Sequence, residues 1–309
     1  DVTQRFIFKK TKEPIPTSAI QLANSITRLL EIMCSTENGF RPGQDREYKK
    51  KFLSYCFVYS FIWSGCVTAT DKYHEELSFT VAGCFNKLSI PATICAEFLF
   101  LACRTGFQTL ERTFALICVP EGTAFPPIIV ETIDTIRYAF VVKQLTQKLR
   151  PVIVTGPSGT GKSIQLTKVS HAPLILLQPL LTHTSNVCLK QTLKNTKNIF
   201  GAAPGTITVV AIDDTNMPAQ DEFGAIPAVE VLRCMVDKKG IWDRKERFWK
   251  HIENTAFVCA CSPPGGGRNE LTPDSLGTLN IVPARAQPQL TYPHIQTNFG
   301  WIFASKLVS

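Results

Sequence analysis

Three glycines, a lysine and a serine stand in the middle of the chain at the spacing of a phosphate-binding loop. Residues 156–163 match the pattern G-x-x-x-x-G-K-[ST]. Glycines let successive backbone N–H groups of such a loop point inward, and the following helix adds the positive end of its dipole. Lys162 is expected to reach the β- and γ-phosphates, and the Ser163 hydroxyl to bind Mg²⁺. The predicted nucleotide-binding residues are Gly156, Pro157, Ser158, Gly159, Thr160, Gly161, Lys162 and Ser163.

Two carboxylates follow a second apolar run, and they supply the acidic partner that a P-loop needs for its metal. The run 208–212 is apolar after its first residue and ends at Asp213 and Asp214. Asp213 is predicted to hold Mg²⁺ through water, and Asp214 to orient or deprotonate the attacking water. The alternative is an ordinary strand followed by an N-cap aspartate. The P-loop earlier in the chain favours the functional interpretation.

The elements that must position these residues alternate between strands and helices. Apolar runs occur at 152–155, 174–177, 206–212 and 256–261, separated by sequence compatible with helices. This alternation predicts an α/β fold, a parallel sheet flanked by helices. Ligands of such sheets bind at the carboxyl ends of the strands, where the P-loop lies.

The first third of the chain predicts an all-α segment that precedes the sheet. Thr17 or Ser18 can cap an amphipathic helix over 20–32, and a second helix is expected from Arg46 to about Cys66. Residues 72–118 look helical, and the proline-rich stretch 120–127 is the predicted boundary. After it, residues 128–138 lead into a helix that ends near Leu149.

Composition describes a globular protein and excludes little else. Among 309 residues, 44% are hydrophobic and 19% charged, which argues against disorder, and the net charge of +8 does not choose a partner. Eleven cysteines without repeat spacing predict free thiols in a reducing compartment and no zinc site. The first residue is Asp1 and not Met, so we expect a piece of a longer chain or a processed start.

Two stretches bear on possible partners. Residues 52–70 carry no charge, but their Ser, Tyr, Gly and Thr residues favour a buried helix, and we expect no membrane partner. Residues 238–251 interleave basic and aromatic side chains as nucleic-acid binders do. Three acids dilute this charge (Asp237, Asp243 and Glu246), and we expect no nucleic-acid partner.

Several longer strings resemble dynein heavy chains. The strings are Ile212-Asp213-Asp214-Thr215-Asn216-Met217-Pro218, Val231-Leu232-Arg233, Gly240-Ile241-Trp242-Asp243-Arg244-Lys245, and the run from Phe257 through Ser262-Pro263-Pro264-Gly265-Gly266-Gly267-Arg268-Asn269. Two of these sequences, Asp-Asp-x-Asn-Met-Pro and Pro-Gly-Gly-Gly-Arg-Asn, are more similar to axonemal than to cytoplasmic dyneins. The chain resembles the end of the second and most of the third AAA+ module of the dynein ring.

The resemblance implies a domain organisation and further site residues. Residues 1–120 would be a helical segment from the end of the preceding module and its connector. Residues 121–285 would be the AAA+ P-loop domain, and 286–309 the start of a truncated α-helical lid. Val130 would contact adenine, and Ser262 stands where a polar sensor of the γ-phosphate is expected. Arg268 would approach a phosphate or pin the glycine-rich loop.

The resemblance also implies a function and its setting. It implies that the chain would be a regulatory ATP-binding module, with ATP or ADP and Mg²⁺ as cofactors, in a minus-end-directed microtubule motor of cilia. Expected partners are neighbouring AAA+ modules and, through the full-length chain, dynein intermediate and light chains and microtubules. The expected location is the cytoplasm and cytoskeleton, in the cilium axoneme.

Three departures from the family pattern bear on turnover. Asp274 and Gly277 stand where the family carries arginines that act on a neighbouring module's nucleotide. Residues 84–118 do not resemble the expected connector, and the chain stops at Ser309, where the lid has only begun. Two functions therefore stand. The first is a regulatory module that hydrolyses ATP slowly. The second is a structural ring segment, or a truncated or degenerate product, that holds nucleotide or none and has no turnover.

Overall fold

The first third of the described chain is mainly helical, as the sequence predicts. The computed structural model describes residues 17–38, 40–66, 98–99, 108–109, 133–169, 174–177, 194–196, 198–201, 206–243 and 247–284. Helix α1 (Ala19–Met33) begins after Ser18, which forms a reciprocal capping box with Gln21. Helix α2 (Arg46–Phe61) continues as a π-helical turn over Ile62–Cys66. Within the described residues, no helix is both long and apolar enough for a membrane span.

The stretch 72–118 differs from its helical prediction where the structure describes it. Strand β1 (Phe98–Leu99) pairs antiparallel with β2 (Gln108–Thr109), so the prediction is wrong for these residues. The sequence between the two strands contains Gly106, which has a low helix propensity. The other residues of this stretch, and those of the predicted lid at 286–309, lie outside the described residues.

From residue 133 onward the described chain alternates between helices and strands. The elements, in chain order, are α3 (Ile133–Gln147), β3 (Val152–Thr155), α4 (Lys162–Val169), β4 (Leu174–Leu177), β5 (Lys194–Thr196), β6 (Ile199–Gly201), β7 (Thr208–Ile212), α5 (Pro227–Asp237), β8 (Gly240–Asp243), β9 (Phe248–Glu253), β10 (Thr255–Cys261), α6 (Pro273–Thr278) and β11 (Asn280–Pro283). Five of these strands form one sheet in the order β11-β3-β10-β7-β4. Every neighbouring pair in that sheet is parallel, which confirms the predicted α/β class.

Side chains of the central strands alternate between two apolar layers, because successive residues of a strand point to opposite faces. On β10, Phe257, Cys259 and Cys261 join one buried cluster, whereas Val258 and Ala260 join the other. All seven residues of β10 are buried. A strand buried on both faces explains why these residues form a continuous apolar run rather than an alternating pattern.

The two N-terminal helices cover the same face of the sheet as α3 and α4. Residues of α1, α2 and the π-helical turn share a buried cluster with Val152 and Val154 of β3. Trp63 meets Tyr138 of α3 edge-on, with ring centroids 5.6 Å apart. The Asn38 Nδ2 donates to Gln144 Oε1 at 3.1 Å. The helical segment and the sheet therefore share one apolar layer.

A second, smaller sheet packs beyond α5 on the opposite face. Its order is β5-β6-β9-β8, with β6 and β9 parallel and the other two pairs antiparallel. Phe200, Ile241 and Ile252 carry its apolar side into the cluster that α5 also joins. The β8–β9 hairpin occupies the basic and aromatic stretch 238–251, where the family resemblance implies a structural hairpin.

Cys34 should react with a maleimide faster than Cys56, Cys259 and Cys261. A hydrogen bond from the Cys56 thiol holds the pKa of Cys34 below its ordinary value, and Cys34 is partly exposed. The same contact and burial raise the pKa of Cys56, and burial raises the pKa of Cys259 and of Cys261 to about 12. Since the thiolate is the reactive form, Cys34 should be alkylated before these three buried cysteines near neutral pH.

Timed alkylation followed by peptide mass spectrometry measures this order of reactivity. The Cys34→Ser variant provides the control, since its early modification should disappear. Alkylation of Cys259 at the same rate as Cys34 would contradict the assignment.

Candidate functional site

Strand β3 ends in the P-loop, and helix α4 begins at its lysine. Gly159 and Gly161 have φ angles of 83° and 77°, a left-handed conformation in which side chains are strained. A Cβ at either position would meet nothing within 4 Å, so conformation and not space requires glycine there. The Thr160 hydroxyl donates to the Pro157 carbonyl at 2.9 Å and closes the turn.

Lys162 is held inside this loop. Its Nζ donates to the carbonyls of Gly156 at 2.8 Å and Pro157 at 2.6 Å, and the residue is only 7% exposed. Burial lowers the pKa of Lys162, while the Asp214 carboxylate works against this shift. The ammonium is therefore held inside the loop by two of the loop's own carbonyls.

Ser163 and Asp213 meet at the carboxyl end of the sheet. The Ser163 hydroxyl donates to Asp213 Oδ2 at 2.6 Å, joining the start of α4 to the residue after β7. A hydroxyl and a carboxylate are hard oxygen ligands of the kind that Mg²⁺ prefers, with water and phosphate oxygens completing its shell. The donor set therefore fits Mg²⁺, and the structure brings the two predicted metal ligands together.

Asp214 lies beside them and is paired with Arg268. The Asp214 φ angle is 45°, so the backbone turns sharply directly after the metal-side carboxylate. Arg268 Nε and Nη2 lie 3.3 and 3.2 Å from Asp214 Oδ1. Both predicted residues therefore lie in the site. The sequence suggested that Arg268 approaches a phosphate or pins the glycine-rich loop, and neither alternative named the carboxylate that it contacts here.

Ser262 follows β10 and lies at the same edge of the sheet. The residue is 4% exposed, and its Oγ has no hydrogen-bond partner among the described residues. Buried hydroxyls without a partner are uncommon, so this atom is suited to a ligand oxygen or water. This placement is compatible with the sensor position that the resemblance implies.

Asn216 was given no role by the sequence, yet it connects the acidic loop to the loop after β10. Its Nδ2 donates to the carbonyls of Ser262 at 2.8 Å and Asn269 at 3.0 Å, and the residue is 1% exposed. The Thr215 hydroxyl donates to the Ala260 carbonyl at 3.0 Å in the same connection. The sequence did contain a signal for Asn216, because the residue lies inside one of the strings that resemble dyneins.

The carboxyl ends of β3, β7 and β10 bring most of the predicted site residues together. They are the P-loop residues, Asp213, Asp214, Ser262 and Arg268. Val130, the predicted adenine contact, lies outside the described residues. Pro157 and Ser158 belong to the loop through their backbone, and Ser158 is exposed.

This strand order, with a P-loop after one strand and two carboxylates after another, defines a P-loop module of the AAA+ α/β class. Residues 117–285 match the family model described as P-loop containing dynein motor region. Residues 1–113 match the one described as dynein heavy chain AAA lid domain. The chain belongs to the dynein heavy chain family, which confirms the resemblance seen in its sequence.

Curated relatives include several axonemal dyneins. The chain is 36% identical to mouse dynein axonemal heavy chain 1 over 87% of its length, and 28% identical to human dynein axonemal heavy chain 6, again over 87%. It is 28% identical to mouse dynein axonemal heavy chain 2 over 97% of its length. The chain spans about 7% of the length of each of these relatives.

Proposed function

We propose that this module binds ATP or ADP with Mg²⁺ at the carboxyl ends of β3, β7 and β10. The contact between Ser163 and Asp213, at 2.6 Å, carries the proposal, because it joins the P-loop helix to the acidic strand at the position that a metal needs. Lys162 lies beside it, inside the loop. A simple N-cap role for Asp213 does not account for a partner hydroxyl on the P-loop.

Each side chain has a distinct role in this proposal. The loop N–H groups and Lys162 hold the phosphates, and Ser163 and Asp213 hold Mg²⁺. The metal, when bound, supplies positive charge that offsets the charge of the β- and γ-phosphates. Asp214 orients or deprotonates the attacking water, Ser262 contacts the γ-phosphate, and Val130 contacts adenine.

The setting that we propose follows from the relatives. Their names describe axonemal heavy chains, which supports a setting in the cilium axoneme. The family resemblance adds the role that we propose there, a regulatory ring module of a minus-end-directed microtubule motor. Its partners would be neighbouring AAA+ modules and, through the full-length chain, intermediate and light chains and microtubules. We also propose a domain organisation. Residues 1–120 are a helical segment from the end of the preceding AAA+ module and its connector, 121–285 are the AAA+ P-loop nucleotide-binding domain, and 286–309 are the start of the α-helical lid.

A second candidate is a module that holds nucleotide without turnover. Asp274 and Gly277 lie on α6, where the resemblance implies arginines, and neither can supply positive charge to a neighbouring module. The ion pair between Arg268 and Asp214 also disfavours turnover, because it occupies the carboxylate proposed to act on the attacking water. Both candidates predict nucleotide binding, and they differ only in phosphate release.

Isothermal titration of the 309-residue chain with MgATP and MgADP tests the binding that both candidates share. A phosphate-release assay on the same protein then separates them. Slow release would support the regulatory ATPase, and binding without release the structural module. Absence of binding by folded protein would overturn both.

Removal of Mg²⁺ should weaken ATP binding by about tenfold or more. Without the ion, the Asp213 carboxylate faces the triphosphate across a short distance, and the repulsion is no longer offset. The comparison is titration of ATP in excess EDTA against titration in Mg²⁺. The Asp213→Asn variant should show a smaller loss on EDTA addition, since it lacks that negative charge. Equal affinity of the unmodified chain in both buffers would contradict the proposed metal site.

A further inference from the structure

We propose that Arg268 is a positioning residue that restrains Asp214 and thereby slows hydrolysis in this module. The inference rests on the proposed function, because it assigns Asp214 to the attacking water. It concerns regulation of the same site from within the chain and requires no neighbouring module.

The first observation is the geometry of the pair. Arg268 Nε and Nη2 both approach one carboxylate oxygen, Asp214 Oδ1, at 3.3 and 3.2 Å. The two side chains are 29% and 34% exposed, so the pair lies at the edge of the site and not in the core. A carboxylate held in this way has one oxygen occupied and its direction fixed.

The second observation is the turn that carries the arginine. Gly265 and Arg268 exchange two backbone hydrogen bonds, with N–O distances of 3.1 and 3.2 Å. Gly265, Gly266 and Gly267 all have positive φ angles, which a turn of this shape requires. The turn presents Arg268 from a fixed backbone.

The third observation is that this turn is attached to the loop that carries Asp214. The Asn269 N–H donates to the Asn216 carbonyl at 2.9 Å, and Asn269 Nδ2 donates to the Pro218 carbonyl at 2.7 Å. Asn216 Nδ2 in turn donates to the Asn269 carbonyl at 3.0 Å. These hydrogen bonds join the two loops that carry Arg268 and Asp214, and so they hold the two side chains within reach of each other.

The fourth observation is the charge balance of the site. Two cations, Lys162 and Arg268, stand against two carboxylates, Asp213 and Asp214. Asp214 opposes the lowering of the Lys162 pKa that burial causes, and Arg268 adds to that lowering. Both cations are therefore close enough to Asp214 to feel its charge, but only Arg268 contacts it.

The consequence concerns the water that attacks the γ-phosphate. A general base must accept a hydrogen bond from that water in the reacting geometry. While Arg268 holds Asp214 Oδ1, the carboxylate is turned toward the glycine turn. A half-exposed ion pair shifts such an equilibrium by about two- to fivefold, so its removal should raise turnover by that factor.

Arg268→Gln is the variant that tests this role, with phosphate release measured at saturating MgATP. Turnover should rise about two- to fivefold, and Arg268→Lys, which keeps the charge, should show a smaller rise. Arg233→Gln is the matched control: Arg233 pairs with Glu230 at 2.7 Å, is 41% exposed and lies on α5. This control should leave turnover unchanged.

A fall in turnover, together with weaker MgATP than MgADP binding, would overturn the proposal, because Arg268 would then contact the γ-phosphate. Equal turnover of Arg268→Gln and the unmodified chain, including none by either, would also overturn it.

A thermal double-variant cycle of Arg268→Gln and Asp214→Asn tests the pair without nucleotide. The two shifts in unfolding temperature should not be additive. Additive shifts would mean that the pair does not form in solution. If the unmodified chain does not bind nucleotide, only the proposed function is refuted, because the double-variant cycle still measures the coupling between Arg268 and Asp214.

Discussion

Replacement of Lys162 by alanine should reduce the affinity for MgATP by about a hundredfold. Lys162 Nζ is held inside the P-loop by the carbonyls of Gly156 and Pro157. Hydrogen bonds that involve a charged group contribute about 1.5–3 kcal/mol each, and loss of about 3 kcal/mol of binding energy corresponds to about a hundredfold in affinity. MgADP affinity should fall less, because one of the two phosphates that Lys162 is proposed to contact is absent.

The folded state should tolerate this change. The pKa of Lys162 is lowered by burial, so placing its charge in the loop costs free energy that alanine does not. We therefore expect a similar unfolding temperature for Lys162→Ala, and a loss of binding can be assigned to the site.

Titration calorimetry of Lys162→Ala beside Lys148→Ala measures the effect. Lys148 is 42% exposed and pairs with Glu37 on the surface at 3.1 Å, so its replacement removes an equal charge outside the site. Unchanged MgATP affinity in folded Lys162→Ala protein would refute the assignment of the P-loop.

The parts of this site that the sequence predicts are those whose chemistry is local. The P-loop needs its glycines, lysine and serine within eight positions, and Asp213 and Asp214 follow their strand directly. Strands β3, β7 and β10 were predicted because burial on both faces leaves continuous apolar runs, and the apolar run at 174–177 also predicted β4. These signals are read without knowing what any segment contacts.

The parts that the sequence does not predict depend on distant contacts. Strand β11 is short, contains a proline and becomes recognisable only through its pairing with β3. Strands β5 and β6 have three residues each, too few to show a period. Arg268 and Asp214 are 54 positions apart, and only the folded loops bring them together. The sequence placed Arg268 near the site but could not identify Asp214 as its partner.

The basic stretch 238–251 is a further case in which distant contacts decide what a residue does. Its residues suggest exposed charge, yet Lys250 of β9 is 1% exposed and pairs with Asp243 of β8 at 3.1 Å. Its ammonium also lies 4.8 Å from the Phe200 ring centre and 5.0 Å from that of Phe248. The charge of Lys250 therefore serves the packing of the smaller sheet.

Replacement of Asp243 by alanine should destabilise the protein by about 3–5 kcal/mol, the cost of removing one partner from a buried ion pair. The Asp243 carboxylate is 2% exposed, so the buried Lys250 ammonium would lose this counter-charge without gaining water. At about 2–4 °C per kcal/mol for a domain of this size, the unfolding temperature should fall by roughly 6–20 °C.

Two comparisons separate the buried charge from simple loss of contacts. The double variant Asp243→Asn with Lys250→Met removes both charges and keeps similar volumes, so it should recover most of the lost stability. Glu37→Ala breaks the surface pair with Lys148 and should cost less than about 1 kcal/mol. Thermal unfolding of the four proteins measures these differences. Equal destabilisation by Asp243→Ala and Glu37→Ala would show that Lys250 reaches water, and the hairpin would then have to open to expose this basic side chain.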